Sequence, residues 1–101
     1  MNLITRKIED NVPKLYETEK IKLEKKVAKI KLDHNKRDKS WYIVEAEKLD
    51  NDFVFWGLIR EEDKVAIDFF SLNDLASMAL DECLAVTEDM TFSPTQLSLI
   101  M

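Results

Sequence analysis

Residues 53–59 read Phe-Val-Phe-Trp-Gly-Leu-Ile, and this stretch decides the fold. All seven positions are apolar, and Gly57 is the single glycine of the chain. A strand-length run without polar positions is typical of a strand that is covered on both faces. We therefore expect residues 53–59 to lie in the centre of a β-sheet.

Three further segments with strand patterns surround this run. Residues 26–32 alternate between apolar side chains and lysines, as a half-exposed strand does. Residues 41–47 are rich in aromatic and β-branched side chains, and residues 65–70 alternate around Asp68. Short charged turns between consecutive strands predict an antiparallel meander.

Helices are predicted on both sides of these strands. Residues 3–11 have helical spacing and are stopped by Pro13, whereas Ser71 is a good N-cap for a second helix. Residues 14–25 are predicted to form an extended arm. The sequence thus predicts one α+β domain spanning residues 1–101, with a four- to five-stranded antiparallel meander sheet and an N-terminal and a C-terminal helix packed on it.

The tail after the second helix predicts less regular structure. Residues 84–86 and 90–92 are expected to add short edge strands. Pro94 is tolerated at the first position of a helix, so a last helical turn is predicted after it.

Composition and local signals indicate a cytoplasmic protein. No apolar run is long enough to cross a bilayer, and the first residues lack the pattern of a signal peptide. A single cysteine, Cys83, cannot form an intrachain disulfide. We expect no membrane association.

Charge is distributed unevenly along the chain. Residues 1–40 carry a net charge of +5 and residues 41–101 a net charge of −10, which gives −5 overall. Such asymmetry bears on partners rather than on fold.

Five segments of the chain resemble one protein family in order and spacing. They are residues 11–19 (Asn-Val-Pro-Lys-Leu-Tyr-Glu-Thr-Glu), 40–45 (Ser-Trp-Tyr-Ile-Val-Glu), 55–59 (Phe-Trp-Gly-Leu-Ile), 69–75 (Phe-Phe-Ser-Leu-Asn-Asp-Leu) and 88–94 (Glu-Asp-Met-Thr-Phe-Ser-Pro). Through them the chain resembles the bacterial domain-of-unknown-function family 2958, over nearly its whole length.

The resemblance implies a setting on plasmids, conjugative elements or phages, and it supplies no established activity. The chain departs from the family pattern at three positions. Lys39 stands where family members usually have a second Trp, and Asp68 and Phe69 stand where Gly and Tyr are expected.

The acidic half of the chain supports the leading hypothesis, a non-enzymatic interaction protein that binds a host or element protein. A continuous acidic surface could mimic DNA phosphates and inhibit a nucleic-acid-directed defence system. An ordinary solubilising surface is the structural alternative. The candidate binding residues are Trp41, Glu45, Trp56, Glu61, Glu62, Asp63, Asp68, Glu88 and Asp89.

The basic region between Lys20 and Lys39 supports a second hypothesis, a small nucleic-acid-binding or regulatory accessory protein. Outward lysines that protect a sheet edge are the structural alternative. The candidate basic patch consists of Lys25, Lys26, Lys29, Lys31, Lys36 and Arg37.

Two further features have both a functional and a structural interpretation. Glu45 and Glu47 share a strand face, and Glu45 is expected to share it with Trp41 and Ile43; a desolvated Glu45 could act as an acid or base, or could pair with a Lys or Arg60. The aromatic candidates Trp41, Phe53, Phe55 and Trp56 exceed the needs of a thin core, which favours core packing and a dimer or partner interface equally.

No metal, cofactor or nucleophile signature is present in the sequence. His34 and Cys83 are the single members of their types and lie far apart in the chain. We expect His34 to be a solvated loop residue and Cys83 to be a small buried side chain. No cofactor is expected, because one glycine cannot build a phosphate-binding loop.

Overall fold

A computed structural model describes residues 8–75 and 86–101, and within these residues the chain is built on two antiparallel sheets. The strands are β1 (Val27–Ala28), β2 (Ile30–His34), β3 (Lys39–Leu49), β4 (Asp52–Glu61), β5 (Lys64–Ser71), β6 (Val86–Glu88) and β7 (Thr95–Gln96). Five strands form the main sheet in the spatial order β5-β4-β3-β2-β6, and β1 pairs with β7 in a small second sheet. The predicted antiparallel sheet is confirmed.

The apolar run at residues 53–59 lies in β4, which is flanked by β3 and β5. It is an interior strand, as predicted, but the middle strand of the five is β3. The reason is that β6 pairs with the outer side of β2, through His34 opposite Val86 and Leu32 opposite Glu88, and so adds a strand on that side. The predicted strand at residues 84–86 overlaps β6 at Val86, and residues 84–85 lie outside the described residues.

Helical structure is placed differently from the prediction. Residues 8–11 and 72–75 are helical, and the short 3₁₀ helix Leu23–Lys25 was not predicted. The helical turn predicted after Pro94 is found as the 3₁₀ helix Leu97–Leu99. The Ser71 cap is confirmed, because its hydroxyl oxygen accepts the backbone N–H of Asp74 at 3.1 Å. Residues 3–7 and 76–82, which complete the two predicted helices, lie outside the described residues.

The two faces of the main sheet bury separate apolar clusters. On the first face, Trp41, Ile43 and Phe55 pack with Ile8 and Leu75 from the helical residues. A second face carries Tyr42, Val44 and Leu58, which pack with Ala28, Leu97 and Ile100. Both faces of β3 are therefore covered, one by the helical residues and the other by β1 and the C-terminal segment.

The prediction that residues 14–25 form an extended arm is wrong. Residues 15–20 form turns, with Tyr16 at a φ of 69°, and the 3₁₀ helix Leu23–Lys25 follows. This compact course brings the backbone of Tyr16 and Thr18 onto the second face of the sheet, where both contact Glu45. The arm, defined here as residues 14–26, is thus folded by a contact that is remote in sequence.

The C-terminal predictions are also corrected. Residues 90–92 form a turn and coil rather than a strand, because the Phe92 N–H donates to the Asp89 carbonyl and the Phe92 ring packs edge-on against Tyr42. After Pro94 the chain enters β7 and then a 3₁₀ helix, since Thr95 and Gln96 pair with β1. Within the described part of the chain, no helix has the length and apolar character that a membrane crossing would require.

Candidate functional site

A β-bulge in β3 determines which face of the sheet Glu45 occupies. Ile43 lies opposite Gly57 and Glu45 lies opposite Trp56, so Val44 is an extra residue in β3. Beyond the bulge the alternation is shifted, and Ala46 joins Trp41 and Ile43 on the first face. Glu45 is therefore on the second face, beside Trp56, and its expected position with Trp41 and Ile43 is corrected.

The single glycine of the chain is required at this bulge. A Cβ atom at Gly57 would lie 1.9 Å from the Tyr42 carbonyl oxygen and 3.2 Å from the Val44 nitrogen. Because both contacts are with backbone atoms of β3, no side-chain movement can relieve them. Gly57 thus permits the close approach of β3 and β4 that accompanies the bulge.

The Glu45 carboxylate is buried, with 5 % of the residue exposed, and it anchors the arm. Its Oε1 accepts the Tyr16 N–H at 2.9 Å, and its Oε2 accepts the Thr18 N–H at 3.0 Å together with the Thr18 hydroxyl. Hydrogen bonds to a charged acceptor are the strong ones in proteins. Both oxygens of Glu45 are therefore engaged in holding residues 16–18 against the sheet.

Lys26 extends this network at the other end of the arm. Only 7 % of Lys26 is exposed, and its ammonium donates to the Thr18 carbonyl and, at 2.9 Å, to the Thr18 hydroxyl oxygen. The same ammonium lies 5.3 Å from the centre of the Trp56 ring, which is a cation–π distance. The expected pairing of Glu45 with Arg60 is not the arrangement found, because Arg60 donates to the Ile100 carbonyl at 2.6 Å.

Trp56 links this buried network to an exposed apolar strip at the sheet edge. Trp56 is half-buried and lies opposite Phe69 of β5, which is 46 % exposed. Val65, which is 43 % exposed, and Ile67 lie on the same face of β5 as Phe69, because the three positions are two residues apart. We call Trp56, Val65, Ile67 and Phe69 the β5 patch.

The structure spreads the acidic candidates over the molecule. Glu61, Glu62 and Asp63 are exposed at the β4–β5 turn, and Asp68 is exposed on the edge strand β5. Glu88 and Asp89 lie in and after β6, at the opposite edge, about 19 Å from β5 at the usual spacing of strands. These acids do not share one surface in the described part of the chain.

The basic candidates are also separated. Lys26 is buried on Thr18, which corrects its place in an exposed basic patch. Lys31 lies 3.4 Å from Asp33 and 3.6 Å from Asp89, and its ammonium is 5.7 Å from the centre of the Tyr42 ring. Exposed positions are occupied by Lys25, Lys36 and Arg37, whereas Lys29 is half-buried.

The surroundings of Lys31 and Asp89 shift both pKa values in the direction that keeps the charges. Partial burial acts to lower the pKa of Lys31, but Tyr42, Asp33 and Asp89 outweigh it and raise the pKa above its ordinary value. The hydroxyl and the backbone N–H of Thr91 donate to Asp89 at 2.6 and 2.9 Å, and these bonds, followed by Lys31, hold the pKa of Asp89 below its ordinary value. The ion pair between Lys31 and Asp89 thus joins β2 to the residue that follows β6.

Three of the aromatic candidates belong to the core. Trp41, Phe53 and Phe55 are buried in the first cluster, so Trp41 is not available as a binding residue. Trp41 also lies under Lys39, whose ammonium is 5.3 Å from the ring centre. Trp56, the fourth aromatic candidate, is partly exposed to solvent.

His34 was expected to be a solvated loop residue, but it is buried at the end of β2. Its Nδ1 accepts the N–H groups of Lys36 and Arg37 at 3.0 and 3.1 Å, and its ring stacks on Trp41. Cys83 lies outside the described residues, so its interpretation as a small buried side chain stays a prediction. Among residues 8–75 and 86–101, no three His, Cys, Asp or Glu side chains come together as metal ligands would.

A cleft of about 400 Å³ lies between the helical residues 8–11 and the β3–β4 end of the sheet. Ile8, Val12, Ala46 and Phe53 form its apolar lining. Its charged lining consists of Glu9, Lys14, Glu47 and Lys48, so it offers no excess of either charge to an ionic ligand.

Two elements of this site were missed by the sequence analysis. The bulge at Val44 has no sequence signal of its own, but an isolated glycine within a strand pattern, such as Gly57, is a general sign of a bulge or a close backbone approach. Thr18 and Tyr16 reach Glu45 across 27 and 29 residues, a separation at which no local pattern exists.

A comparison of the chain with family models, with curated proteins and with solved structures finds no match in any of the three.

Proposed function

We propose that the chain is a non-enzymatic interaction protein of the plasmid, phage or conjugative-element kind, which binds a host or element protein in the cytoplasm. The β5 patch carries this proposal. It is an apolar strip at the edge of the main sheet, and Val65 and Phe69 are nearly half exposed there. Exposed apolar patches with an aromatic centre are characteristic of protein-binding surfaces.

The buried network beneath the patch supports the same proposal. Trp56 is held between the Lys26 ammonium on one side and its cross-strand neighbours Glu45 and Phe69 on the others. A ring that is already fixed loses little conformational entropy when a partner covers it. The arm therefore prepares a rigid aromatic centre for binding.

The non-enzymatic part of the proposal rests on Glu45, the one acid–base candidate from the sequence. Three hydrogen bonds from the arm engage both oxygens of its carboxylate. A carboxylate that transfers protons needs contact with a substrate, and here the arm occupies that position. Its role is to position the arm.

Acidic mimicry of DNA, as a means of inhibiting a defence system, has less support than the β5 patch. Mimicry requires acids at regular spacing on one surface, and the described acids lie at opposite edges of the sheet. Nucleic-acid binding through the Lys20–Lys39 region is also less favoured, because Lys26 is buried and Lys31 is paired with two acids. A gel shift at 50 mM salt tests it, since phosphate contacts are strongest at low salt.

The proposal is tested by affinity capture from a lysate of a bacterial host. The test variant is Val65→Lys with Phe69→Lys, and its matched control is Met90→Lys with Leu99→Lys, which changes two side chains that are 76 % and 78 % exposed. We expect the wild type and the control to retain the same protein and the test variant to lose it. Capture of nothing, or equal capture by all three chains, would contradict the proposal.

A further inference from the structure

The main sheet ends at β5, and the outer backbone groups of this strand are not paired with another strand that the structure describes. Of the strands that the structure describes, β5 has a neighbour on one side only, which is β4. The Phe69 N–H donates to the Asp68 side chain at 2.7 Å, so it points away from β4. Because backbone groups alternate along a strand, those of Val65 and Ile67 also point outward, and the register with β4 is unbroken from Lys64 to Ser71.

This edge is complementary to itself. When a second copy of the strand is placed antiparallel, with Ala66 opposite Ala66, the outward groups of Val65 meet those of Ile67. In the same register Lys64 lies opposite Asp68 of the second copy, and the two-fold axis repeats both contacts. Opposite charges that face each other directly in an antiparallel pair stabilise it.

We propose that β5 pairs with β5 of a second copy in this register, forming one continuous ten-stranded sheet. The inference rests on the proposed use of the β5 patch and names what lies at its open side. The two patches then join across the two-fold axis, because Val65 packs on Ile67 of the second copy, and Phe69 lies diagonal to Val65 of the second copy.

A second copy explains the charges on this edge better than an unrelated strand does. Lys64 and Asp68 lie on the same face of β5, but they are about 13 Å apart along the strand and cannot pair within one copy. The edge carries one charge of each sign, placed symmetrically about Ala66. Any pairing strand must offer the reverse order, and an antiparallel copy of β5 does so.

Sedimentation equilibrium across a range of protein concentrations tests the pairing. The wild type is expected to move from the mass of one chain, 11.8 kDa, toward twice that mass as its concentration rises. Asp68→Lys or Lys64→Asp places like charges opposite each other and should weaken self-association at least tenfold. The double variant Lys64→Asp with Asp68→Lys should restore it, because the pairs are then reversed.

Glu17→Lys is the matched control, since Glu17 is an exposed acid that is not part of β5. Circular dichroism establishes that each variant is folded. A wild type that stays monomeric at all concentrations, or single reversals that leave the dimer intact, would overturn the pairing. Self-association and partner capture are measured separately, so failure of the pairing is distinguishable from failure of the proposed function.

Discussion

The Glu45 carboxylate accepts hydrogen bonds from both the backbone N–H and the hydroxyl of Thr18, a residue 27 positions earlier in the chain. This contact holds the arm against the second face of the main sheet, and the arm in turn places the Lys26 ammonium over the Trp56 ring. It also depends on the bulge at Val44, without which Glu45 would point into the opposite core.

Glu45→Gln is expected to lower the free energy of unfolding by about 1–3 kcal/mol, because the amide NH₂ group would face a backbone or hydroxyl donor of the arm. Urea denaturation measures the change. Glu47→Gln is the matched control, since Glu47 is half-buried on the same strand, and it should change stability by less than about 0.5 kcal/mol. Equal effects of the two substitutions would show that Glu45 does not anchor the arm.

Lys26→Met is expected to destabilise the fold by about 1–3 kcal/mol, because the Thr18 carbonyl loses its buried donor while the apolar stem is retained. Thermal denaturation measures the loss. Lys25→Met removes a neighbouring lysine that is exposed, and it should have no measurable effect. If the two variants melt at the same temperature, the buried position of Lys26 contributes nothing to stability.

Gly57→Ala is expected to destabilise the fold strongly. Its Cβ would lie 1.9 Å from the Tyr42 carbonyl oxygen, so β3 and β4 must separate at the bulge. The expected cost is about 3 kcal/mol or more, in the upper range for overpacking. Circular dichroism and urea denaturation measure it, and Ala66→Gly on the exposed edge strand controls for exchanging these two residue types. A fold with unchanged stability would contradict the close approach of the two strands.

Asp89→Asn is expected to reduce stability near neutral pH and to have no effect in strong acid. The folded chain holds the pKa of Asp89 below its ordinary value, chiefly through the two hydrogen bonds from Thr91. The carboxylate therefore stabilises the fold above about pH 3.9, and this contribution is lost as the pH falls through the folded-state value. Urea denaturation at several pH values tests the convergence of the two chains, with the exposed Glu19→Gln as control. A constant difference at every pH would contradict it.

Features that depend on neighbouring residues were predictable from the sequence. The uninterrupted run of β4 and the Ser71 cap are each set within a few residues, and both were found where expected. The single strand predicted at residues 26–32 is instead divided, because Val27–Ala28 pairs with β7 and Ile30 begins β2 in the main sheet. The antiparallel order followed from the short turns between strands, including the two-residue turn in which Glu62 has a φ of 56°.

Features that depend on distant residues were not predictable. The position of Glu45 is decided by one extra residue in β3, which reverses every later side chain of that strand. Lys26 and Lys25 are adjacent and chemically identical, yet one is buried because Thr18 offers it two oxygen atoms. The exposed β5 patch resembles a core strand in sequence, since its exposure follows from its place at the edge of the sheet.

The anchoring of the arm at one carboxylate divides the molecule into parts of unequal stability. The amide protons of Tyr16 and Thr18 are bonded to Glu45 rather than to a strand ladder, so they can exchange with solvent when the arm alone detaches. The amides of β3 and β4 exchange only when the sheet itself opens. We therefore expect the arm to open as a separate unit, and its detachment would release Trp56 from the Lys26 ammonium that lies over its ring.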